Sequence, residues 1–399
     1  MEIFLIILLG IILGIFSGLI PGFHPNNIIP FIFIISSYLG SYNSAILIFI
    51  CGIVNCFISF IPSIYFGIPE ESSTLSILPG HKLFILGEGY TAIKLIILGG
   101  VIGLFISIFS LPLLFLFLPS IYFSIRPFIH ILLLLSVFFM IWKEEKPLIA
   151  LVVFNLSGIL GYFSLNEIGD SALLPLLSGF FGLPIIFESL KRKNNLQEQI
   201  ENKEIGVNMN QILTSSGQGV LSGLIAGILP GFGITQSIIL VQSFLKTKIE
   251  NNILNIKKFL ISLGAANSSD IFYSILAILL ISNPRSGIAI AIQKLINLNY
   301  ETLIVFILIF IFIGIFSAII TYFLAKKLIK TITKINYSKL LFLVLIYLIF
   351  VVYLFSNFLG ILILICATII GMLPIKFGVN RTHTLGCLIL PTVIFYLYH

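Results

Sequence analysis

The sequence predicts an all-α, polytopic membrane protein made of two related halves, and three observations carry that prediction. Hydrophobic residues fill 59% of the 399 positions and charged residues only 9%, against about 25% charged in an ordinary soluble domain. Stretches such as 45–66, 95–118 and 303–324 run almost without charge for the roughly 20 residues that a bilayer-crossing helix needs. The run Gly14-x-x-x-Gly18-x-x-Pro21-Gly22-Phe23 returns as Gly223-x-x-x-Gly227-x-x-Pro230-Gly231-Phe232, every matched position offset by 209 residues, which marks an internal repeat.

Apolar segments fall at about 2–20, 26–38, 45–66, 93–118, 128–142, 148–163 and 171–190. Met1-Glu2 leads straight into the first of them with no basic start and no small-residue cleavage site, so the first helix is expected to be retained. A polar stretch from Lys191-Arg192-Lys193 through Glu204 has charge, amides and no apolar period, as a solvated linker does. Apolar segments resume at about 211–229, 233–245, 259–281, 284–298, 302–325, 340–355, 358–373 and 384–397. The expected organisation is therefore a first transmembrane repeat over 1–190, a cytoplasmic linker over 191–208 and a second repeat over 209–399.

Charge gives the orientation. If the apolar pieces around each Pro-Gly form re-entrant hairpins, as do 67–90 and 283–298, each half makes five crossings. An odd number inverts the second half relative to the first, the plan of many secondary transporters. With the linker in the cytoplasm, only Arg126, Arg285 and Lys294 of the 22 Lys and Arg lie outside, as the positive-inside rule requires. The net charge of +7 then marks cytoplasmic loops and not a nucleic-acid surface. The expected location is the cell membrane, with the bilayer as first partner.

Proline removes an amide hydrogen and glycine tolerates unusual dihedrals, so Pro21-Gly22 and Pro230-Gly231 break their helices. Backbone freed inside hydrocarbon must be buried in protein or face a water-filled cavity. The helix restarting after each break presents amide hydrogens and partial positive charge, which favour an anion such as a carboxylate. Small polar residues stand there: His24, Asn26 and Asn27 in the first half, and Gly233, Thr235, Gln236 and Ser237 in the second. The competing reading is that the glycines only allow close helix packing, which leaves the prolines and the polar residues unexplained.

Two further clusters are candidates. Gly67-Ile68-Pro69-Glu70-Glu71-Ser72-Ser73-Thr74 and Ser282-Asn283-Pro284-Arg285-Ser286-Gly287 each join a proline to hydroxyl residues between apolar flanks. Glu70 and Glu71 read as solvated turn residues, while Ser72, Ser73 and Thr74 read equally as cavity lining or as turn. Gly264-Ala265-Ala266-Asn267-Ser268-Ser269-Asp270 is expected to open a long apolar helix. An acid inside a membrane segment is a functional hypothesis by default, so Asp270 is the candidate for coupling to Na+ or H+. Two turns into that helix, it also reads as an interfacial acid. Asp170 and Glu188 stand nearer segment ends.

The paired Gly-x-x-x-Gly-x-x-Pro-Gly elements, Gly67-Ile68-Pro69 and Ala265-Ala266-Asn267 together resemble the large permease subunit of tripartite tricarboxylate transporters, over most of the chain. The resemblance places Pro21 and Gly22 in the first glycine-rich signature, Pro230, Gly231 and Gly233 in the second, and Asn267 in the Ala-Ala-Asn element. It implies transport of organic anions with two or three carboxylates, driven by an ion gradient. It also implies a small membrane subunit and an extracytoplasmic solute-binding protein as partners, and is compatible with a homo-oligomer. Phe23-His24-Pro25, Glu70 and Pro79-Gly80 depart from the family pattern.

Other classes fare worse. No His-Glu-x-x-His, Gly-x-Ser-x-Gly or Gly-x-x-x-x-Gly-Lys run is present, so neither a catalytic residue nor a resident cofactor or metal is expected. Cys51, Cys56, Cys366 and Cys387 lie in apolar runs without a Cys-x-x-Cys pair and read as packing residues. An uncoupled channel or a structural membrane component is the main alternative to a permease, and an intramembrane enzyme a weaker one.

Overall fold

The computed structural model describes residues 2–20, 25–67, 74–142, 144–192, 199–200, 205–229, 233–244, 252–284, 286–332 and 337–398. Among the described residues there is no strand.

The first half runs α1 (Glu2–Leu19), α2 (Pro25–Leu39), α3 (Ser41–Ile58), α4 (Phe60–Phe66), α5 (Thr74–Ile85), α6 (Gly89–Phe109), α7 (Leu111–Ile125), α8 (Ile129–Trp142), α9 (Pro147–Ile168), α10 (Leu173–Leu177), a π-helical turn (Ser178–Gly182) and α11 (Leu183–Arg192). The second half runs α12 (Met209–Ile228), α13 (Ile234–Phe244), α14 (Ile253–Ile281), α15 (Gly287–Leu295), α16 (Tyr300–Ile332), α17 (Tyr337–Phe377) and α18 (Gly386–Tyr398). Local chemistry sets several boundaries. Asn208 and Gln211 form a capping box at the start of α12. Asn252 Oδ1 accepts from Leu254 N at 3.0 Å before α14, and Ser286 Oγ accepts from Ala289 N at 3.1 Å before α15. Each supplies an acceptor to an otherwise orphaned amide. Gly67, at φ 67, ends α4 in a left-handed conformation that glycine adopts without a Cβ penalty.

Seven helices among the described residues are long and apolar enough to cross a membrane: 41–66, 89–109, 111–128, 147–168, 253–281, 300–331 and 341–377. Their outward faces carry large apolar side chains such as Phe109, Phe312, Phe316 and Phe358, more than a soluble monomer exposes. The chain is a multi-pass membrane protein. Two of these helices differ from the rest, because the apolar window of α3–α4 is wholly enclosed by protein and that of α14 is 83% buried.

Packing also clarifies two of the long helices. A Cβ on Gly360 would lie 3.2 Å from Val352 Cγ1, whereas eight residues of continuous helix rise about 12 Å. The chain therefore doubles back at Asn357, whose φ is 53, and α17 is a helical hairpin with the limbs expected at 340–355 and 358–373. Conversely, α6 and α7 form one rod beside α14. Gly99 meets Ile261, Gly103 meets Ala265, the Ser110 and Tyr273 hydroxyls bond at 2.9 Å, and Asn283 donates to the Tyr122 hydroxyl. These contacts advance together, so α6–α7 and α14 run in the same direction.

The enclosed helices point in opposite directions. Residues 45–58 of α3 share one apolar core with the end of α14 and the start of α16, while 60–65 of α4 share a second core with the starts of α6 and α14 and the end of α16. A third core joins α8, α9, α10, the π turn, the second limb of α17 and α18.

Two described residues of the linker, Gln199 and Ile200, are held by hydrogen bonds. Gln199 Oε1 accepts from Gly89 N at 3.1 Å, Gln199 Nε2 donates to Phe84 O at 2.8 Å, and Ile200 N donates to Gly87 O at 2.9 Å. Its described residues thus dock on the turn between α5 and α6.

Candidate functional site

The helix entering each Pro-Gly break lies along the enclosed helix that follows its hairpin. In the first half, a Cβ on Gly10, Gly14 or Gly18 would strike Ile50, Val54 and Ile58 of α3 in turn. In the second, Gly219, Gly223 and Gly227 sit on Ala265, Ser269 and Tyr273 of α14. The entering helices match at an offset of 209 residues (10 to 219) and their partners at 215 (50 to 265). Individual atoms correspond: Gly18 faces Ile58 Cβ and Ser59 N, and Gly227 faces Tyr273 Cβ and Ser274 N. The glycines thus do serve close packing, as the plainer reading held, and that packing brings each break beside particular polar residues of α3 or α14.

These polar residues are Asn55 and Ser59 on α3 and, at the same offset of 215, Asp270 and Ser274 on α14. Asn55 Nδ2 donates to Ser17 Oγ at 3.2 Å, and Ser17 Oγ donates to Gly14 O at 3.1 Å, which ties the first entering helix to α3 by side chains. The backbone O and N of Asp270 face Gly227 and Gly223. Because α14 begins at Ile253, Asp270 lies nearly five turns into the helix at about 3.6 residues per turn. Asp270 is half-buried there, midway along the helix and not two turns from its start, and a carboxylate within a membrane segment is costly.

The Ala265-Ala266-Asn267 element divides by chemistry. Ala265 is squeezed between Gly219 of α12 and Gly103 of α6, so nothing larger fits there, and the Ala266 carbonyl faces Gly223. Asn267 is buried with its amide donating to Leu263 O at 3.1 Å. Its equivalent on α3 is Gly52, whose missing Cβ leaves room for Ile288 and Ile271. Contact between Gly52 and Ile271 brings the centres of α3 and α14 together, so Asn55, Asn267 and Asp270 gather near one level.

Among the remaining candidates, Asn26 is exposed, with its amide packed against Gly287 at the start of α15. The first half's polar cluster therefore touches the second half's Pro284–Gly287 stretch. Gly233 precedes α13, and Thr235 and Ser237 are buried in its first turn. Asn27, Thr74 and Gln236 belong to α2, α5 and α13, with side chains outside the described residues, as are those of Asp170 and Glu188. Pro21, Gly22, His24, Glu70, Glu71, Ser72, Ser73, Pro230 and Gly231 lie outside the described residues altogether. No group of three or more His, Cys, Asp or Glu arranged to hold a metal occurs among the described residues.

Reading the motifs alone missed Asn55, Ser59 and Ser274. A signal for them exists: once the second half's six extra residues between hairpin and next helix are allowed for, counting 215 back from Asp270 and Ser274 reaches Asn55 and Ser59. An apolar background hides that register, because no other motif marks it.

Two helices that lead into Pro-Gly runs, each laid on an enclosed helix that carries buried polar residues, in a bundle of membrane-length apolar helices, define the class as a multi-pass membrane protein. The chain belongs to the tripartite tricarboxylate transporter TctA family, whose model matches residues 4–386. That family supplies the large subunits of tripartite transporters. The chain is also similar to the uncharacterized protein MJ1079 of Methanocaldococcus jannaschii, with 32% identity over 404 residues and 98% of each chain covered. No solved structure matches it.

Proposed function

We propose that this chain is the permease that carries small organic anions with two or three carboxylates across the cell membrane by alternating access, coupled to a gradient of Na+ or H+. The carrying observation is the shared packing register of the two hairpins, atom for atom on α3 and α14. A scaffold has no need of two broken helices held identically. The opposite directions of α3 and α14 through the two apolar cores support an inverted arrangement of the halves 1–190 and 209–399 about the linker 191–208. So does the contact between Leu104 and Gly314, which an offset of 210 makes equivalent to one another, as residues on a two-fold axis are.

In this reading the anion's carboxylates sit at the restarting helices, where α2 and α13 offer amide hydrogens and positive dipole ends. Asn26, Asn27, Thr235, Gln236 and Ser237 supply neutral donors, with Pro21, Gly22, His24, Pro230, Gly231 and Gly233 shaping the breaks. Ser72, Ser73 and Thr74 extend the lining, and Asn267 and Asp270 lie at the centre, Asp270 as the coupling acid. The halves act as an interlocked whole. The terminal α18 packs Gly386 on Phe154 and Ser157 of α9, while Gly179 in the first half packs on Leu364 and Ala367 of α17. A small membrane subunit and an extracytoplasmic binding protein complete the assembly.

The test is uptake of labelled citrate and succinate into vesicles bearing the purified chain, with and without Na+ or proton gradients. Gradient-dependent flux is expected, with Gly22→Leu and Gly231→Leu reducing it to background while inserting normally. No carboxylate flux under any gradient, with or without the partner subunits, overturns the reading.

A further inference from the structure

Near the breaks, several small hydroxyls bond to their own helix. Ser17 donates to Gly14 O, Ser268 to Ala265 O at 3.1 Å, and Ser269 to Ala265 O at 2.7 Å. Two do not. The hydroxyls of Ser59 and Ser274 are buried, at 0% and 1% exposure, with no hydrogen-bond partner, although a helical serine reaches a carbonyl of the preceding turn with ease. They are the repeat-related pair beside Gly18 and Gly227.

Each stands four residues beyond a polar side chain, so Asn55 with Ser59 and Asp270 with Ser274 share a helix face. Each also lies against the C-terminal end of a broken helix. Leu229 N closes on Ile225 O at 2.8 Å, but the residue that would close on Ala226 O is Pro230, which has no amide hydrogen. The Ala226 carbonyl thus lacks its intrahelical donor, and the partial negative charge of this helix end favours a cation. Gly227 presses it on the backbone of Asp270 and Ser274.

We infer that the Asp270 carboxylate, the Ser274 hydroxyl and the Ala226 carbonyl at the end of α12 bind one Na+ ion, and that Asn55 and Ser59 are the uncharged counterpart, which binds none. All these ligands are hard oxygens, the donor type that suits small hard cations. Only one half supplies the compensating negative charge. Asn55 is instead committed as a donor to Ser17. The inference rests on the permease reading and deepens it: a proton on Asp270 requires neither the Ser274 hydroxyl nor the Ala226 carbonyl, whereas Na+ requires both.

The experiment measures the rise in melting temperature of the purified full chain in detergent across a NaCl titration, with KCl holding ionic strength. Wild type is expected to rise with Na+ and not with K+. Asp270→Asn abolishes the response, Ser274→Ala weakens apparent Na+ affinity at least tenfold, Ser274→Thr retains it, and Ser59→Ala leaves it unchanged. Asn55→Asp adds a second bound ion in equilibrium binding of radioactive sodium, an arm that does not depend on any change at Ser274. Wild-type Na+ affinity in Ser274→Ala, or a single ion still bound in Asn55→Asp, overturns the assignment. If Asp270→Asn then loses gradient-driven flux, coupling at Asp270 stands and only the ligand set falls. If that variant keeps such flux, the coupling reading itself is wrong.

Discussion

Lys257 Nζ lies 3.5 Å from the Glu88 carboxylate, with both side chains more than nine-tenths enclosed. The same ammonium donates to Ile205 O at 3.1 Å. One cation thus pins the start of α14, the start of α6 and the end of the linker together, joining the two halves at one face of the bundle. The ion pair is costly to half-remove, because the partner left behind is a buried, uncompensated charge.

Lys257→Met is accordingly expected to destabilise the chain by about 3–5 kcal/mol, and Lys257→Met with Glu88→Gln to recover most of that loss. Unfolding in a detergent titrated with denaturant measures both. A single variant as stable as wild type would show that Glu88 finds other compensation.

His383 and Glu144 form a second tie, at 2.9 Å, between the turn after α17 and the loop before α9. Burial pushes the His383 ring below its ordinary 6.5, with the hydrogen bond and charge of Glu144 pulling the other way. The ring is therefore neutral in the folded chain at pH 7. As pH falls below 6.5, the unfolded chain takes up a proton that the folded site resists, so stability decreases from there down to the folded value and then levels off. Melting curves between pH 7.5 and 5 should show this slope in wild type and a shallower one in His383→Gln. Equal slopes would remove His383 as the cause.

Glycines supply a graded test of the packing. A Cβ on Gly161 would lie 2.5 Å from Cys387 Cα, and one on its equivalent Gly371, 210 residues on, 2.6 Å from Phe180 O, whereas Gly217 meets nothing within 4 Å. Gly161→Val and Gly371→Val should each cost about 1–3 kcal/mol through overpacking. Gly217→Ala should be neutral or gain up to about 1 kcal/mol from helix propensity. Thermal melts of the three variants in one detergent decide it, and equal losses at all three positions would contradict the contacts.

Much of the fold was legible in the residues. The limits of α1, α2, α8 and α12 fall within a few positions of the apolar segments, and the reversal at Asn357 falls in the gap between them. The start of α14 was not legible, since Asn252 and Lys257 give no apolar cue and the polar cluster at 264–270 reads as the helix opening. This moved Asp270 from two turns to nearly five turns along its helix. The cross-half contacts, Gly161 on Cys387 and Gly371 on Phe180, were equally invisible. Lipid is as apolar as a protein core, so an apolar side chain on a membrane helix does not reveal which way it faces.

By itself the sequence determined that the chain is helical, lies in a membrane, and repeats a broken helix at an offset of 209 residues, because length, apolarity and Pro-Gly chemistry act locally. Only the tertiary structure decided which helices are enclosed, that they run in opposite directions, and that Asn55–Ser59 and Asp270–Ser274 stand beside the two breaks. Those facts depend on contacts between residues far apart in the chain, where glycine permits backbones to meet and no local pattern records the partner.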